Sequence, residues 1–333
     1  MVALPRFLQV EPVGQCNLRC RMCPIPFRQD GPPHGPPAFM EFATFTRLLD
    51  QLPDLEELQL QGLGEPMMHP RFFDMVSHAV AKGIRVGTNT NLTLLNECRA
   101  ELCVTSGLAE LHASIDGATA ETYERIRVRS HFDRIVSNLE RLMETRARLG
   151  STTPKVRMVV VAMRQNLREF PDLVRLAHRL TIDEVFVQHL CHDFRESTLP
   201  PQYQPMRDFV SAETLTTADQ QVVHRTFDEA RALAQELGVD LRLPRTSPRL
   251  HPPGTPGPKR CDWPWRGAYV SYQGLAMPCC MVATPDRINF GSMAEEGVEA
   301  IWNGEDYQGF RDALSSDEPP SICKSCSVYS GTF

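Results

Sequence analysis

The sequence lacks an apolar run of about 18 residues, the length that a membrane-spanning helix needs. Its N-terminal stretch is interrupted by the charged residues Arg6 and Glu11, so it also lacks the apolar core of a secretory signal peptide. We therefore expect a cytoplasmic protein without a membrane segment. A long Lys/Arg run is absent too, and the formal net charge is -6. This balance argues against a nucleic-acid partner and suits a small polar molecule.

Cysteines, by contrast, are plentiful for a chain without a secretion signal. Cytoplasmic thiols stay reduced and disulfides are rare there, so an odd number of 11 indicates metal ligands and some core thiols. Three cysteines fall close together near the N-terminus, and five fall between Cys261 and Cys326. The scattered Cys98, Cys103 and Cys191 are expected to be buried core thiols.

Short apolar runs alternate with helical patterns from residue 7 to about residue 190. The strand candidates are residues 7–10, 57–60, 84–87, 110–115, 156–162 and 184–188. The helical stretches between them are residues 41–51, 71–81, 94–106, 131–149 and 169–180. This alternation predicts an α/β fold, a parallel sheet with helices outside it, in the form of a partial (β/α)6 TIM-type barrel.

The region 199–258 departs from this alternation. Residues 212–237 show an amphipathic helical pattern, and proline-rich stretches flank it. We therefore expect a barrel domain over 1–198, a helical and proline-rich linker over 199–258, and a small domain over 259–333. The last part is too small for a large core, and domains of this size commonly depend on a metal site.

The first cysteine group is Cys16, Cys20 and Cys23, in the spacing C-x3-C-x2-C. Three thiolates on one loop can bind three irons of a cubane cluster and leave the fourth iron open. A structural zinc site is the alternative, although it needs four ligands and the loop contains no histidine. The loop follows the first predicted strand, so it lies at the carboxyl-terminal mouth of the barrel, where such folds build active sites.

In spacing and position this loop resembles the signature of the radical S-adenosylmethionine (SAM) superfamily. The resemblance implies a [4Fe–4S] cluster whose open iron binds SAM. It also implies reductive cleavage of SAM to a 5′-deoxyadenosyl radical that takes a hydrogen atom from the substrate. Superfamily members usually have an aromatic residue before the third cysteine, near the adenine. This chain has Met22 there, and an apolar, adaptable methionine should preserve the packing.

Further motifs follow the later strands in the order of the superfamily. QGLGEP resembles its glycine–glutamate–proline motif, which implies that Gly62 and Gly64 admit the cofactor to the backbone and that Glu65 accepts from the SAM ammonium group. HASIDG and YERIR match polar contact positions and an arginine that pairs with the SAM carboxylate. The cofactor contacts implied there are Ser114, Asp116 and Arg127, with Asn89 and Gln188 as further candidates. A glycine-rich turn and a helix cap at Asn89 are the structural alternatives.

The second cysteine group closes with the C-x2-C pair Cys323 and Cys326, which alone is also typical of a four-cysteine zinc site. Together with the first group it resembles the auxiliary-cluster domains called SPASM and twitch. The full SPASM form has further cysteines after this pair, which are absent here, so the shorter twitch form with a β-hairpin, a helix and one [4Fe–4S] cluster is implied. Its implied ligands are Cys261, Cys279, Cys323 and Cys326.

Cys280 is ambiguous, but the spacing from Gly274 selects Cys279. We expect Trp263, Trp265 and Trp302 to serve packing.

The cluster layout resembles that of 2-deoxy-scyllo-inosamine dehydrogenase. The resemblance implies an oxidoreductase with two [4Fe–4S] clusters and SAM, in which the auxiliary cluster takes an electron from a substrate radical. It further implies a polar small-molecule substrate, such as an aminocyclitol, sugar or nucleoside, and an electron donor such as flavodoxin or ferredoxin. The alternatives are modification of a ribosomal peptide by crosslinking or epimerisation, and decarboxylation or epimerisation of a sugar. We expect no leader-peptide-binding domain, since the first strand begins near Met1.

A general acid or base is not indicated by the sequence. Several polar residues follow predicted strands or lie in the loops after them, and we expect each to be structural rather than catalytic. These residues are His69, His112, His189, His192, Asp193 and Arg195. The proline-rich loop over 31–37 is expected either to cover the mouth of the barrel or to be a disordered surface turn.

Overall fold

A computed structural model describes residues 2–28, 38–190, 199–246, 261–282 and 284–330. The strands are β1 Phe7–Val10, β2 Glu57–Leu60, β3 Arg85–Thr90, β4 Glu110–Ser114, β5 Lys155–Ala162, β6 Glu184–His189, β7 Leu241–Arg242, β8 Gly267–Val270 and β9 Ala276–Met277. No helix in these ranges is long and apolar enough to cross a membrane.

Helices follow most of the strands. In the first part of the chain they are α1 Phe42–Asp50, α2 Phe72–Ala81, α3 Glu97–Thr105, α4 Ala120–Ile126, α5 Phe132–Arg148 and α6 Phe170–Arg179. Later helices are α7 Gln204–Glu213, α8 Gln220–Leu237, α9 Trp263–Arg266, α10 Val298–Trp302, α11 Glu305–Ser315, α12 Ser321–Lys324 and α13 Ser327–Ser330.

One nine-stranded sheet runs through the molecule in the order β7-β6-β5-β4-β3-β2-β1-β8-β9. Its strands pair in parallel except for the β8–β9 hairpin, which is antiparallel. The mixed α/β architecture with a partial barrel and a C-terminal hairpin and helices confirms the predicted fold class. Because Phe7 to Val10 pair with Gly267 to Val270, the sheet is continuous between the first and last parts of the chain.

The outer face of this sheet is apolar, which explains why the helices pack on it. Leu8, Leu58, Val86, Leu111 and Val156 are buried in one core cluster with the helices. Side-chain caps start several helices where the sequence offers Asn or Thr. In these caps Asn96 accepts from the Arg99 amide before α3, and Thr119 accepts from the Thr122 amide before α4, a helix that we did not predict.

The helix predicted over 212–237 is wrong in its first part. Helix α7 ends at Glu213, and α8 begins only at Gln220. Between them, Thr216 and Asp219 form a capping box in which the Asp219 carboxylate accepts from the Thr216 amide at 2.8 Å. The predicted linker region also contributes β7, which extends the parallel sheet beyond β6.

The predicted packing residues differ in their outcomes. Cys103 is fully buried in the core, and so is Trp302, whose indole N–H donates to the Ala3 carbonyl at 2.8 Å. Cys98, which we expected in the core, is exposed because it lies beside Glu97 and Arg99 on the outer side of α3. Cys191 lies outside the described residues.

Candidate functional site

The first cysteine loop follows β1 directly and lies against the end of α4. Its backbone amides at Arg19 and Arg21 donate to the carbonyls of Val128 and Ile126 at 3.0 and 3.3 Å. A turn closes the loop, since the Cys23 amide donates to the Cys20 carbonyl at 3.1 Å. Cys20 is buried, and Cys16 and Cys23 are half-buried. The loop thus has a fixed backbone at the carboxyl ends of the strands.

The three thiols share a buried environment with hydrogen-bond donors. Burial and the neighbouring Cys20 thiol together raise the pKa of Cys23 to about 12. Cys16 accepts from the Leu18 amide at 3.4 Å and from Asn91 Nδ2 at 3.6 Å. Arg127 Nη1 lies 3.9 Å from the Cys20 sulfur and lowers the pKa of that thiol, against the raising effect of burial. Close thiols with N–H donors and one cation fit the anionic sulfurs of an iron–sulfur cluster.

Glu65 of the GLGEP segment is buried beside this loop. Its carboxylate accepts from Thr90 Oγ1 at 2.7 Å, from the Asn91 amide at 2.8 Å and from the Met67 amide at 3.3 Å. Burial raises the pKa of Glu65, whereas these three donors lower it. The carboxylate therefore holds the end of β3 next to Cys16.

The two glycines of that segment are explained by contacts within the protein. A Cβ on Gly62 would lie 2.4 Å from Glu11 Cγ, and a Cβ on Gly64 would lie 1.9 Å from the Val13 carbonyl oxygen. The space that a side chain would fill is occupied by the segment that enters the cysteine loop, and an approach of the cofactor to this backbone stays a prediction.

Asp116 and Arg127, predicted as separate cofactor contacts, meet in the structure. Arg127 Nη2 lies 2.8 Å from Asp116 Oδ2, and both residues are buried. Asp116 Oδ1 also accepts from the Val161 amide at 2.8 Å. Within the described residues Arg127 Nε has no hydrogen-bond partner, so this buried guanidinium has a donor left for a ligand.

Met22 and the strand-end residues lie around the same mouth. Met22 packs against an apolar cluster that includes Ile126 and Met206. Ser114 ends β4 and Gln188 is the penultimate residue of β6, and both are half-buried. By strand register, Ser114 and Gln188 share the inner face of the sheet.

The inner face of the barrel is polar along several strands. Register places the following residues on it, opposite the apolar outer face: Gln9, Gln59, Asn89, His112, Arg157 and Glu184. His112 Nδ1 lies 2.6 Å from Asn89 Oδ1, and His112 Nε2 lies 3.3 Å from Arg157 Nη1. Arg157 in turn pairs with Glu184 at 2.7 Å. A hydrogen-bonded row therefore crosses the inner face from β3 to β6.

A cavity of about 200 Å³ lies at the amino ends of β4, β5 and β6, where Glu110, Lys155 and Glu184 line it. This is the end of the barrel opposite to the cysteine loop. Its charged side chains include paired ones, such as Arg157 with Glu184 and Arg146 with Asp183. His112 and Arg157 line the same cavity, so the inner-face row extends to this end of the barrel.

Two of the three described histidines on our list of candidate bases have structural hydrogen bonds. His69 Nδ1 accepts from the Arg71 amide at 3.0 Å, and His69 Nε2 lies 2.9 Å from the Met40 carbonyl oxygen. His189 Nε2 lies 2.7 Å from the Arg245 carbonyl oxygen. His112 faces the barrel interior. His192, Asp193, Arg195 and the loop over 31–37 lie outside the described residues.

The auxiliary cysteines gather between β9 and the C-terminal helices. Burial raises the pKa of Cys279 well above its usual range, and Cys280, Cys326 and Cys323 raise it further. These three thiols therefore lie within electrostatic reach of Cys279. Burial also raises the pKa of Cys261. The nearby charge of Asp262 raises this pKa as well, and the hydrogen bond from the Trp263 amide lowers it, so the groups that act on Cys261 lie at the start of α9. Its place in the ligand set stays a prediction, and so does the choice between Cys279 and Cys280.

One group of buried residues was missed by the sequence reasoning. Glu11 and Arg28 form an ion pair that is closed off from solvent, and the rings of Tyr269 and Tyr272 lie beside it. The available signal was a glutamate in the otherwise apolar stretch VEPVG that leads to Cys16.

Together, the partial barrel, the three-cysteine loop at its mouth and a second cysteine group define an enzyme class that uses iron–sulfur clusters. Residues 10–177 match the model of the radical SAM superfamily, and residues 261–327 match the SPASM model, described as an iron–sulfur cluster-binding domain. The chain belongs to the radical SAM superfamily, and [4Fe–4S] clusters and SAM are its cofactors.

Curated relatives extend over nearly the whole chain. The chain is 25% identical to the tungsten-containing aldehyde ferredoxin oxidoreductase cofactor-modifying protein of Pyrococcus furiosus, over 97% of this chain and 87% of that protein. It is also 25% identical to the PqqA peptide cyclase of Rhizobium meliloti, over 97% of this chain and 79% of that protein.

Solved structures share the fold at low sequence identity. Streptococcus suis SuiB bound to its precursor peptide SuiA has a TM-score of 0.68 at 15% identity, over 98% of this chain and 71% of that one. BtrN in complex with AdoMet and 2-DOIA has a TM-score of 0.52 at 15% identity, over 98% and 94% of the two chains. These likenesses support the fold of both parts of the molecule.

Proposed function

We propose that this radical SAM enzyme oxidises a carbon of a polar small molecule, such as an aminocyclitol, sugar or nucleoside. When bound, the first cluster and SAM supply a 5′-deoxyadenosyl radical, and an auxiliary cluster can accept one electron. The observation that carries the proposal is the polar inner face of the barrel, where amide and charged side chains stand in place of a packed apolar interior.

The binding residues are proposed from motif and position together. The first cluster is assigned to Cys16, Cys20 and Cys23, and the auxiliary cluster to Cys261, Cys279, Cys323 and Cys326. SAM is assigned to the space between the cysteine loop and the strand ends, with contacts from Met22, Gly62, Gly64, Glu65, Asn89, Ser114, Asp116, Arg127 and Gln188. Support comes from the free Nε donor of buried Arg127 and from the position of Glu65 next to Cys16.

Within the inner-face row, Asn89 is the member proposed to contact a ligand at the candidate site, because Asn91, two residues further along, donates to the Cys16 sulfur. Burial and the Arg157 charge lower the pKa of His112, against the raising effect of the Glu110 carboxylate. Asn89 Oδ1 also lies 3.4 Å from the donor Gln59 Nε2, which marks it as an acceptor. His112 Nδ1 therefore donates to Asn89 Oδ1, while Nε2 lies 3.3 Å from both Arg157 Nη1 and Glu110 Oε2. This arrangement frees the Asn89 amide hydrogens to donate to a ligand hydroxyl or carboxylate.

The proposed reaction is a two-electron oxidation of a CH–OH or CH–NH2 group. The substrate loses a hydrogen atom from carbon, and then an electron and the proton of its oxygen or nitrogen. A C=O or C=N bond remains. A protein such as flavodoxin or ferredoxin is proposed to supply the electron that starts each turnover.

A second candidate is the modification of a peptide by crosslinking or epimerisation. The observation that favours it is the similarity to a PqqA peptide cyclase over 97% of this chain, together with the fold shared with peptide-bound SuiB. An open barrel with a polar inner face can also accept an extended backbone, since peptide groups need hydrogen-bond partners.

The two candidates are separated by direct substrate tests. Anaerobically reconstituted enzyme with dithionite and SAM is offered 2-deoxy-scyllo-inosamine, glucosamine, uridine or the PqqA peptide, each alone. We expect a small molecule to stimulate 5′-deoxyadenosine formation and to be recovered two mass units lighter. Turnover of the PqqA peptide with none of the small molecules would contradict the leading proposal and favour peptide modification.

The redox role of the auxiliary cluster is tested with the triple variant Cys261→Ala, Cys323→Ala, Cys326→Ala. The variant must be soluble and must keep its first cluster, because a metal site also stabilises a small domain. With a substrate deuterated at the attacked carbon, we expect deuterium in 5′-deoxyadenosine and loss of the oxidised product. Undiminished oxidised product would show that the auxiliary cluster is structural.

A further inference from the structure

The buried ion pair of Glu11 and Arg28 has no role in the proposed chemistry. Arg28 Nη1 and Nη2 donate to Glu11 Oε1 and Oε2 at 2.7 and 3.2 Å. The Glu11 side chain is 0% exposed and the Arg28 side chain is 1% exposed. Removing both charges from water costs free energy that their mutual attraction at best offsets, so stability alone is a weak reason to keep such a pair.

The Glu11 carboxylate also accepts from two backbone amides on different segments. Oε1 accepts from Leu63, between the two glycines of the GLGEP segment, at 3.2 Å. Oε2 accepts from Tyr272, in the turn between β8 and β9, at 3.4 Å. Arg28 itself follows the first cysteine loop. One carboxylate thus joins the cysteine loop, the GLGEP segment and the hairpin that leads to the auxiliary cysteines.

Aromatic rings fill the gaps between these three segments. The Arg28 guanidinium lies 5.7 Å from the centre of the Tyr272 ring, and a Cβ on Gly14 would lie 2.4 Å from that ring. Tyr269, on the adjacent strand β8, also packs closely, because a Cβ on Gly62 would lie 2.6 Å from the Tyr269 hydroxyl. These contacts leave no space in which the segments could move closer together.

We propose that Glu11 and Arg28 are positioning residues that set the separation between the first cysteine loop and the auxiliary-cluster hairpin. The inference rests on the proposed function, in which an electron passes from the substrate radical to the second cluster. The rate of such a transfer falls steeply with distance, so a fixed separation directly affects turnover.

The test measures the separation itself and needs no substrate. Pulsed electron paramagnetic resonance on the fully reconstituted, dithionite-reduced enzyme gives the distribution of distances between the two reduced clusters. Hydrogen exchange followed by mass spectrometry reports on the Leu63 and Tyr272 amides. For Glu11→Gln we expect unchanged iron content, a broadened distance distribution and exchange about tenfold faster at the Tyr272 amide. An unchanged distribution and unchanged exchange would overturn the proposal.

Two further variants separate positioning from core filling. The double variant Glu11→Leu, Arg28→Met removes the charges but keeps apolar volume, so a purely structural pair would be replaced without effect on the distribution. We expect the distribution to stay broad, because the two backbone amides lose their shared acceptor. A narrow, wild-type distribution in this variant would overturn the proposal. The matched control is Glu56→Gln, which breaks the exposed Arg6–Glu56 pair at the other end of β1 and should change nothing.

These readouts remain valid if the proposed oxidation is wrong. A chain that modifies peptides would show the same distances and the same response to Glu11→Gln. Failure of the substrate tests with a broadened distribution would therefore reject the oxidation alone. Success of the substrate tests with an unchanged distribution would reject the positioning role alone.

Discussion

Glu65 of the GLGEP motif makes hydrogen bonds within the protein in addition to its proposed contact with SAM. Its carboxylate accepts from Thr90, Asn91 and Met67, and it is 2% exposed. Asn91 in turn donates to the Cys16 sulfur. Glu65 therefore orders both the end of β3 and, through Asn91, the first cysteine ligand. Its loss should affect both the stability of the protein and the binding of the cofactor.

For Glu65 we predict a graded response. Glu65→Ala leaves buried donors unpaired and should lower the free energy of unfolding by about 3 kcal/mol, whereas Glu65→Gln keeps the shape and should cost about half of that. Urea unfolding under anaerobic conditions measures the loss, and calorimetry measures SAM affinity. Equal stability of the wild type and Glu65→Ala would show that these hydrogen bonds are not formed.

His69 gives a pH dependence whose sign follows from its burial. Burial lowers its pKa in the folded protein, so the unfolded chain takes up a proton first as the pH falls below about 6.5. Stability should thus be complete above pH 7 and decrease toward pH 5.5. His112, whose pKa is also lowered, adds to the same slope. His69→Gln should reduce the slope of unfolding free energy against pH, and an unaltered slope would assign it to other groups.

At the scale of elements, the cysteine and glycine motifs could be placed from sequence because parallel strands bring their carboxyl ends to one edge of the sheet. The pairings across that edge could not be read, since Asp116 with Arg127 and Glu11 with Arg28 depend on how distant segments pack. The helix break near Thr216 was missed for a local reason. Apolar spacing continues through it, while the capping box of Thr216 and Asp219 closes a short 3-10 turn over Thr217–Asp219, and α8 begins directly after that turn.

At Gly64 the GLGEP segment packs directly against the backbone that enters the cysteine loop. An added methyl group should push these two segments apart. In Gly64→Ala the Cβ would meet the backbone carbonyls of Val13 and Gln15, and these cannot move without shifting the cysteine loop. We expect the variant to lose the first cluster, about four irons, and to keep the auxiliary cluster. Iron analysis with the absorption spectrum measures this.

The control for that variant is Gly309→Ala in α11. No atom lies within 4 Å of the added Cβ, and alanine favours a helix by about 0.5–1 kcal/mol over glycine. The control should keep full iron content and melt at the same or a higher temperature. Full iron content in Gly64→Ala as well would show that the loop can move aside.

For the whole molecule, the proposed ligand sets predict the metal content. Three and four cysteines correspond to two clusters, so the reconstituted protein should hold about eight irons and eight sulfides. Changing Cys16, Cys20 and Cys23 together to Ala should leave about four of each. Tightly bound zinc in place of the remaining iron would contradict the auxiliary-cluster assignment and support the zinc alternative.

The pairing of β1 with β8 has a consequence for how the chain is made. Phe7 finds its partner Gly267 only after most of the chain has left the ribosome, so one edge of β1 waits unpaired while the barrel strands beside β2 assemble. An open strand edge is a template for aggregation. Slow synthesis of the last part, or a shortage of iron and sulfide while it folds, should therefore affect the yield of the barrel as well as that of the auxiliary domain.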